Sequence, residues 1–368
     1  MQLRATRFDA LPHWSPEELT AVWPTYLASC RAVVENRSTL RPGALATPEM
    51  VGACACALAL SEKPESIERY FYENFRACEV TRTPDSSGFL TGYYEPEIDG
   101  SIEPTGEFPT PILNRPSDLI DMRGVNRAGW DRLLEGARLG ADGQLEPYPD
   151  RAAIETGAID DIASPSVWVR DAVEAFFVQV QGSARIRLPN GETRRLVYAG
   201  RNGRPYSSIG RMLIESGEIS ADEMSLARCK LWLRENGLEI GSRGRSVMQA
   251  NQSYVFFRLE EDRDVARGPI GGQGLPLTPM RSIAVDRKIW PYGSLVWLAA
   301  DLSSAGVGDG PAGRLMVAQD TGSAIVGAAR ADVFIGSGPR AGDIAGLIRH
   351  SSRFFVFMPL ESRSNGAP

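Results

Sequence analysis

Histidine is almost missing from this 368-residue chain, which has only His13 and His350. An HExxH zinc site therefore cannot be written, and a histidine-based triad would have to use one of two isolated residues. Neither a GxSxG elbow nor a GxxxxGK[ST] phosphate loop occurs. One GxGxxG is present, Gly308-Asp-Gly310-Pro-Ala-Gly313, but strand-like RLMVAQD follows it where a dinucleotide site requires a helix, so it reads as a hairpin loop. The five cysteines (Cys30, Cys54, Cys56, Cys78, Cys229) are odd in number and contain no CxxC pair, which excludes a metal knuckle. Basic charge is in deficit, 40 Lys and Arg against 46 Asp and Glu for a net charge of −6, and this argues against a nucleic-acid partner. The longest apolar run, Val51–Leu60, is half of the ~20 residues that a bilayer-spanning helix needs. The N-terminal MQLRATRFDALPHW also lacks the apolar stretch of a signal peptide, so the sequence reads either as cytoplasmic or as a mature or trimmed form.

What is present is close to an average globular composition, 43% hydrophobic and 23% charged, enough for a real core. At ~150 residues per domain the length gives two to three domains. The 37 glycines and 25 prolines favour a turn-rich, β-heavy protein. The first eighty residues read as helices. Ser15-Pro16-Glu17-Glu18 has the form of a capping box, Pro24 is expected to kink the first helix, and Thr47-Pro48-Glu49 and Pro64-Glu65-Ser66 open two more. From Gly88 the period changes. GFLTGYYEPE reads as a strand running into a turn, residues 97–165 as loops and short strands, AVEAFFVQVQG as a buried strand, and RIRLPNGETRRLVYAG as a hairpin about Pro189-Asn190-Gly191. Ser220-Ala-Asp-Glu223 is a second capping box, for a helix that Gly237 can end. The last third alternates strands and glycine turns: SYVFFR, RSIAVD, SLVWLAA, RLMVAQD, ADVF and RFFVFMP.

Three aspartates stand out by position. Asp286 closes RSIAVD, Asp320 closes RLMVAQD, and Asp332 follows Gly327-Ala-Ala-Arg330-Ala. The common fate of such residues is to cap a turn by accepting backbone amides. If the three converge, mutual repulsion raises one pKa and supplies the neutral acid that protonation of a glycosidic oxygen requires. Tyr93-Tyr94 is a second candidate: alternation puts one ring in the core and the other on a surface, where it can stack on a sugar. Gln181-Gly182-Ser183 and the polar turn Asn202-Gly203-Arg204-Pro205-Tyr206 are further candidates, although both have the composition of ordinary turns.

GFLTGYYEPE, FFVQVQGSARIRL, YAGRNGRPYSSIGR, SYVFFR, GLPLTPMRSIAVDRKIWPYGSLVWL and RLMVAQDTGSAIVGAARADVFIGSGPRAGDIAG together, in this order, resemble the membrane-bound lytic transglycosylase A (MltA) family. The last two blocks resemble its C-terminal three-aspartate (3D) domain, and the resemblance runs over roughly residues 8 to 360. It implies a mainly β protein with N-terminal helices: a double-psi β-barrel domain from residues 1–96 and 242–361, a second, inserted β-barrel-like domain at 97–241 with a glycan groove between them, and a tail at 362–368.

The implied activity is cleavage of peptidoglycan between N-acetylmuramic acid and N-acetylglucosamine without water. The resemblance makes Asp332 the catalytic acid, Asp320 and Asp286 its supporting carboxylates, and Tyr93, Tyr94, Gln181, Gly182, Ser183, Tyr206, Gln319, Thr321 and Gly322 the substrate contacts. A catalytically silent glycan-binding protein and a water-using muramidase are the alternatives. No metal or organic cofactor is expected. The expected partners are glycan strands, with other cell-wall enzymes admissible, and the chain is expected to be a monomer in the envelope of a Gram-negative bacterium. An envelope location would permit a bridge from Cys30 to Cys54 or Cys56. The chain departs from the family pattern at Ala184, where glycine is common and a methyl near the groove is expected, and at Val326, where lysine is frequent.

Overall fold

The computed structural model describes residues 1–60, 63–81, 87–123, 125, 128–131, 133–262, 264 and 267–361. The expected tail at 362–368 lies outside them. The chain opens with β1 (Gln2–Thr6), α1 (Glu17–Val34), α2 (Pro48–Leu58), α3 (Pro64–Asn74), β2 (Phe75–Thr81) and β3 (Gly88–Glu95). Its middle carries β4 (Glu97–Ser101), β5 (Thr110–Leu113), β6 (Ile120–Asp121), β7 (Gly136–Leu139), β8 (Leu145–Pro147), α4 (Arg151–Glu155) and β9 (Pro165–Val169). There follow α5 (Ala172–Gln181), β10 (Ser183–Arg187), β11 (Thr193–Arg201), α6 (Ile209–Glu215), α7 (Leu226–Glu235), α8 (Arg243–Ala250) and β12 (Val255–Glu261). The last third is β13 (Ser282–Val285), β14 (Leu295–Asp301), β15 (Pro311–Asp320), β16 (Arg330–Ser337), α9 (Pro339–Leu347) and β17 (Arg349–Pro359).

Two compact units result, one from residues 1–94 with 266–368 and the other from residues 95–265. The C-terminal border therefore falls 24 residues beyond the expected 241/242. The reason is pairing: β12 runs antiparallel to β11 from Val255↔Arg201 to Glu261↔Arg194, which keeps it and the preceding α8 in the second unit.

The first unit is an eight-stranded sheet in the order β1-β2-β17-β14-β15-β13-β16-β3, returning on itself through a β17–β3 pairing. Helices α1–α3 cover one face. Trp23, Tyr26 and Phe71 pack there against Trp297, Phe355 and Phe357, each large ring contributing about 1.5–3 kcal/mol by leaving water. Thr47 caps α2 through the Met50 amide (3.3 Å). Pro24 stays inside α1 without ending it. The Ser15–Glu18 box does not form, because Glu18 turns to Arg281 and accepts from the Leu315 amide (3.1 Å), tying α1 to the sheet. All five cysteines are free thiols. Cys30 and Cys54 are buried near Tyr26 and burial pushes the Cys30 thiol up, while Cys56 is exposed, so the expected bridge is not made.

The second unit holds a six-stranded sheet, β12-β11-β10-β4-β9-β5, and a small one, β6-β7-β8. It is more helical than expected. AVEAFFVQVQ is not a strand but α5, which is buried on two sides: Ala175 and Val178 face the sheet residues Ile112, Val167 and Ile186, and Val173, Phe176 and Phe177 face Leu213, Trp232 and Leu233 of α6 and α7. The hairpin β10–β11 forms as read. Ser220 and Glu223 do exchange hydrogen bonds, but Ser225 is the residue that caps α7. At the border of this unit Arg185 and Arg195 each bridge Glu95 and Asp262, at 2.9–3.3 Å and with all four side chains at most 8% exposed.

Candidate active site

Strand β13 is the axis of the site. It pairs in parallel with β15 and antiparallel with β16, so that Ala284 faces Asp320 on one side and Asp332 on the other. Two strand spacings separate the aspartates, about 10 Å between Cα atoms, and their side chains are served from one neighbouring strand. On β3, Thr91 and Tyr93 share a face by alternation. The Thr91 hydroxyl donates to Asp332 Oδ1 (2.6 Å), and the Tyr93 hydroxyl donates to Asp320 Oδ2 (3.0 Å).

The two carboxyls have unlike surroundings. Asp320 also accepts the Gly272 amide on Oδ1 (2.7 Å) and has Arg41 Nη1 at 3.9 Å. Asp332 has the Thr91 hydroxyl, which itself accepts from Arg330 Nη2 (2.7 Å). Arg330 is thus spent on Thr91 and on the Ala331 carbonyl, with its guanidinium 5.4 Å over the Phe89 ring. Burial raises the Asp332 pKa above the ordinary aspartate value; the Asp320 charge adds to the rise, and Arg330 and the Thr91 bond partly oppose it. Tyr93 is likewise pushed well above the ordinary phenol value, first by burial and then by Asp320, and so remains a proton donor. Its ring rests on Phe334 at 5.4 Å.

Asp286 does not join this pair. It accepts from the Lys288 amide (3.1 Å) and the Gly327 amide (2.8 Å), pinning the turn that leads into β16. Trp290 helps by donating to Ala328 O (2.8 Å).

Several expected substrate contacts are corrected by burial. Tyr94 is 7% exposed and packs beneath α9, where a Cβ on Gly342 would come within 2.7 Å of its ring, so it has no face to offer a sugar. Gln319 points to the opposite side of β15 from Asp320, as alternation demands. It donates to Ser29 Oγ (2.8 Å), accepts from Ser282 Oγ (2.6 Å), and is a core residue. Thr321 is buried, donates to Val285 O (3.0 Å) and accepts from Arg41 Nη1 through its carbonyl (2.5 Å). Gly322 follows in the bend, half-buried.

The remaining candidates belong to the second unit. Gln181 ends α5, Gly182 is its left-handed cap (φ 84°) and Ser183 begins β10. Tyr206 is half-buried in a segment anchored by Asn202, which donates to Pro149 O and Gln252 O and accepts from the Tyr254 amide. Ala184 is fully buried in the sheet core of the second unit, while Val326 is 70% exposed on the turn before β16.

Sequence reasoning missed Thr91, Arg330 and Arg41. The period-two pattern that singled out Tyr93 also places Thr91 on the same face. Arg41, in the coil between α1 and α2, carries no local signal at all.

Comparison with known proteins gives two family models, an MltA specific insert domain over residues 89–258 and a 3D domain over residues 281–358. The chain is 31% identical over 283 residues to the membrane-bound lytic murein transglycosylase A of Vibrio cholerae, covering 76% of this chain and 67% of that protein. Its fold matches the crystal structure of a membrane-bound lytic murein transglycosylase from Agrobacterium tumefaciens with a TM-score of 0.83 and 33% identity, covering 98% of both chains. It also matches MltA from Neisseria gonorrhoeae with a TM-score of 0.75 and 29% identity over 100% of this chain and 93% of that one.

Proposed function

The chain belongs to the MltA family of membrane-bound lytic murein transglycosylases, and on that premise we propose that it is a peptidoglycan lytic transglycosylase with Asp332 as its single proton-transfer residue. It acts on the β-1,4 bond between N-acetylmuramic acid and N-acetylglucosamine. The observation that carries the assignment of the acid is the placement of Asp332 across one strand from a second aspartate and in hydrogen-bond contact with one hydroxyl, surroundings whose burial raises its pKa. A carboxyl of that kind keeps a proton into the pH range where a glycosidic oxygen needs one.

An ordinary glycosidase uses a second carboxyl to attack the anomeric carbon or to activate water there. Here the C6 hydroxyl of the same muramyl residue is the nucleophile, and its proximity replaces much of that second group's work. Asp332 gives its proton to the leaving glycosidic oxygen. As carboxylate it then takes the C6 hydroxyl proton while the C6 oxygen closes on the anomeric carbon. The product is a 1,6-anhydromuramyl end, and Asp332 returns to its starting state. Asp320 and the Tyr93 hydroxyl flank the reacting region, and Asp286 holds the turn that presents Asp332.

In the second unit Gln181, Gly182, Ser183 and Tyr206 are the proposed glycan contacts, and in the first Tyr93 and Gly322. The closed sheet with its parallel β13–β15 pairing is what supports reading the first unit as a double-psi barrel. The relatives are named membrane-bound, which supports a cell-envelope location; among the described residues no helix is long and apolar enough to cross a membrane.

The test is mass spectrometry of purified murein sacculi digested with the protein. Muropeptides ending in 1,6-anhydro-N-acetylmuramic acid are expected. Ends heavier by one water would mean a hydrolase, and binding without release would mean a silent glycan-binding protein.

A further inference from the structure

Asp320 is reached by a cation that comes from outside the sheet. Arg41 lies in the coil joining α1 to α2, and that coil is fastened over the end of β15. The Arg41 amide donates to Gly272 O (3.0 Å), the Tyr292 hydroxyl donates to Arg41 O (2.9 Å), and the Ala44 amide donates to Arg287 O (2.7 Å). From this platform the guanidinium donates to Thr321 O (2.5 Å) and stands 3.9 Å from Asp320 Oδ1, the two side chains being 17% and 11% exposed. Gly272 connects the two ends of the arrangement, since its carbonyl takes the Arg41 amide while its own amide goes to Asp320.

The groups facing Asp320 are Arg41 from the α1–α2 coil, Tyr93 from β3, Tyr292 from the coil before β14 and Asp332 from β16. Of these, Arg41 is the cation, and Tyr93 and the Gly272 amide are donors. Asp332 is served by one hydroxyl, with Arg330 committed to that hydroxyl and to a carbonyl. Of these two carboxyls flanking one strand, Asp320 is the one that holds a backbone amide and a neighbouring cation, the partners that favour a carboxylate's charge. We propose that Arg41 is a positioning residue that fixes Asp320 as the carboxylate of the pair and so leaves the proton on Asp332. The proposal rests on the reading of Asp332 as the acid and adds the residue that decides which of the two aspartates fills that role.

The test uses the full chain with Arg41→Met, Arg41→Gln and Arg41→Lys. The side-chain carboxyl of Asp320 is followed by ¹³C NMR across pH, its resonance identified by its loss in Asp320→Asn, and muropeptide release is measured over the same range. Loss of the cation in Arg41→Met is expected to move the Asp320 titration upward by about 1–3 units and to lower muropeptide release in the pH range where the pair holds one proton, because that proton is then shared with Asp320. Arg41→Lys is expected to return both towards wild type. Arg41→Gln keeps a donor for Thr321 O without the charge and is expected to behave as Arg41→Met, which covers the case in which the methionine variant folds poorly. An Asp320 titration identical in Arg41→Gln and wild type overturns the proposal, even if turnover falls equally at every pH, as does a lysine variant that behaves like the glutamine one. If the wild type releases no anhydro ends, the reading of the reaction fails while the NMR titration still decides the role of Arg41.

Discussion

Asp332 is a carboxyl that folding makes harder to ionise, and that has a consequence for stability as well as for chemistry. Its pKa in the folded chain is raised, first by burial, so the native state binds this proton more tightly than the unfolded chain does. The stabilisation is complete below the ordinary aspartate range and is lost as pH climbs through the raised value. Asp332→Asn removes this titration together with both proton transfers. Turnover on sacculi is expected to fall by ~10²–10⁴-fold, while the melting temperature at neutral pH equals or exceeds that of wild type and the difference closes as the solution is acidified. Asp320→Asn takes away the repulsion that helps hold the Asp332 proton, so the alkaline limb of the activity profile is expected to move down. Asp286→Asn belongs to another kind. It disturbs the bonds to the Lys288 and Gly327 amides and is expected to cost about 1–3 kcal/mol in urea unfolding without moving either limb.

Helix α5 shows where the sequence was legible and where it was not. Its ten residues are apolar on nearly every side because they face a sheet on one flank and three helices on the other, and over so short a run periodicity cannot separate a helix from a buried strand. The ends carried the missing information. Asp171 accepts the Glu174 amide (2.8 Å) and Glu174 accepts the Arg170 amide (3.3 Å), which marks the start of a helix, and Gly182 closes it in the left-handed region. Gly182→Ala is therefore expected to lower stability by about 1–2 kcal/mol, read as a fall in melting temperature. The strands of the last third were legible because most of them run between glycine or proline turns, as β14 to β16 do, whereas β17 follows α9 directly. Tyr93 and Asp332 were legible by alternation and by resemblance. Gln319 and Tyr94 were misassigned because a motif names neighbours in sequence without saying which face of the strand each one takes. Arg41 was out of reach, since its hydrogen bond to Thr321 O, beside Asp320, joins residues 280 apart.

At the scale of the whole molecule, the second unit is one continuous stretch of chain, whereas the first is assembled from both ends. The continuous unit has a buried knot of Glu95, Asp262, Arg185 and Arg195 where the chain enters and leaves it. Arg195→Ala leaves buried carboxylates short of a cation, and a loss of about 3–5 kcal/mol is expected, measurable by denaturant unfolding. In the other unit the last strand is not an edge. β17 lies between β2 and β14 and also pairs with β3 from Arg349↔Thr91 to Ser352↔Gly88, so the strand that carries Thr91 and Tyr93 is tied to a segment far downstream in the chain. Synthesis runs from the N-terminus, so β3 is made long before the strand it pairs with. A chain halted after Ile348 holds every residue of the site and still lacks the strand that closes the sheet around it. The pairing of β3 with β17 thus makes completion of the site wait on a strand far downstream, and a fragment cut short of that strand carries the site's sequence without the sheet that shapes it.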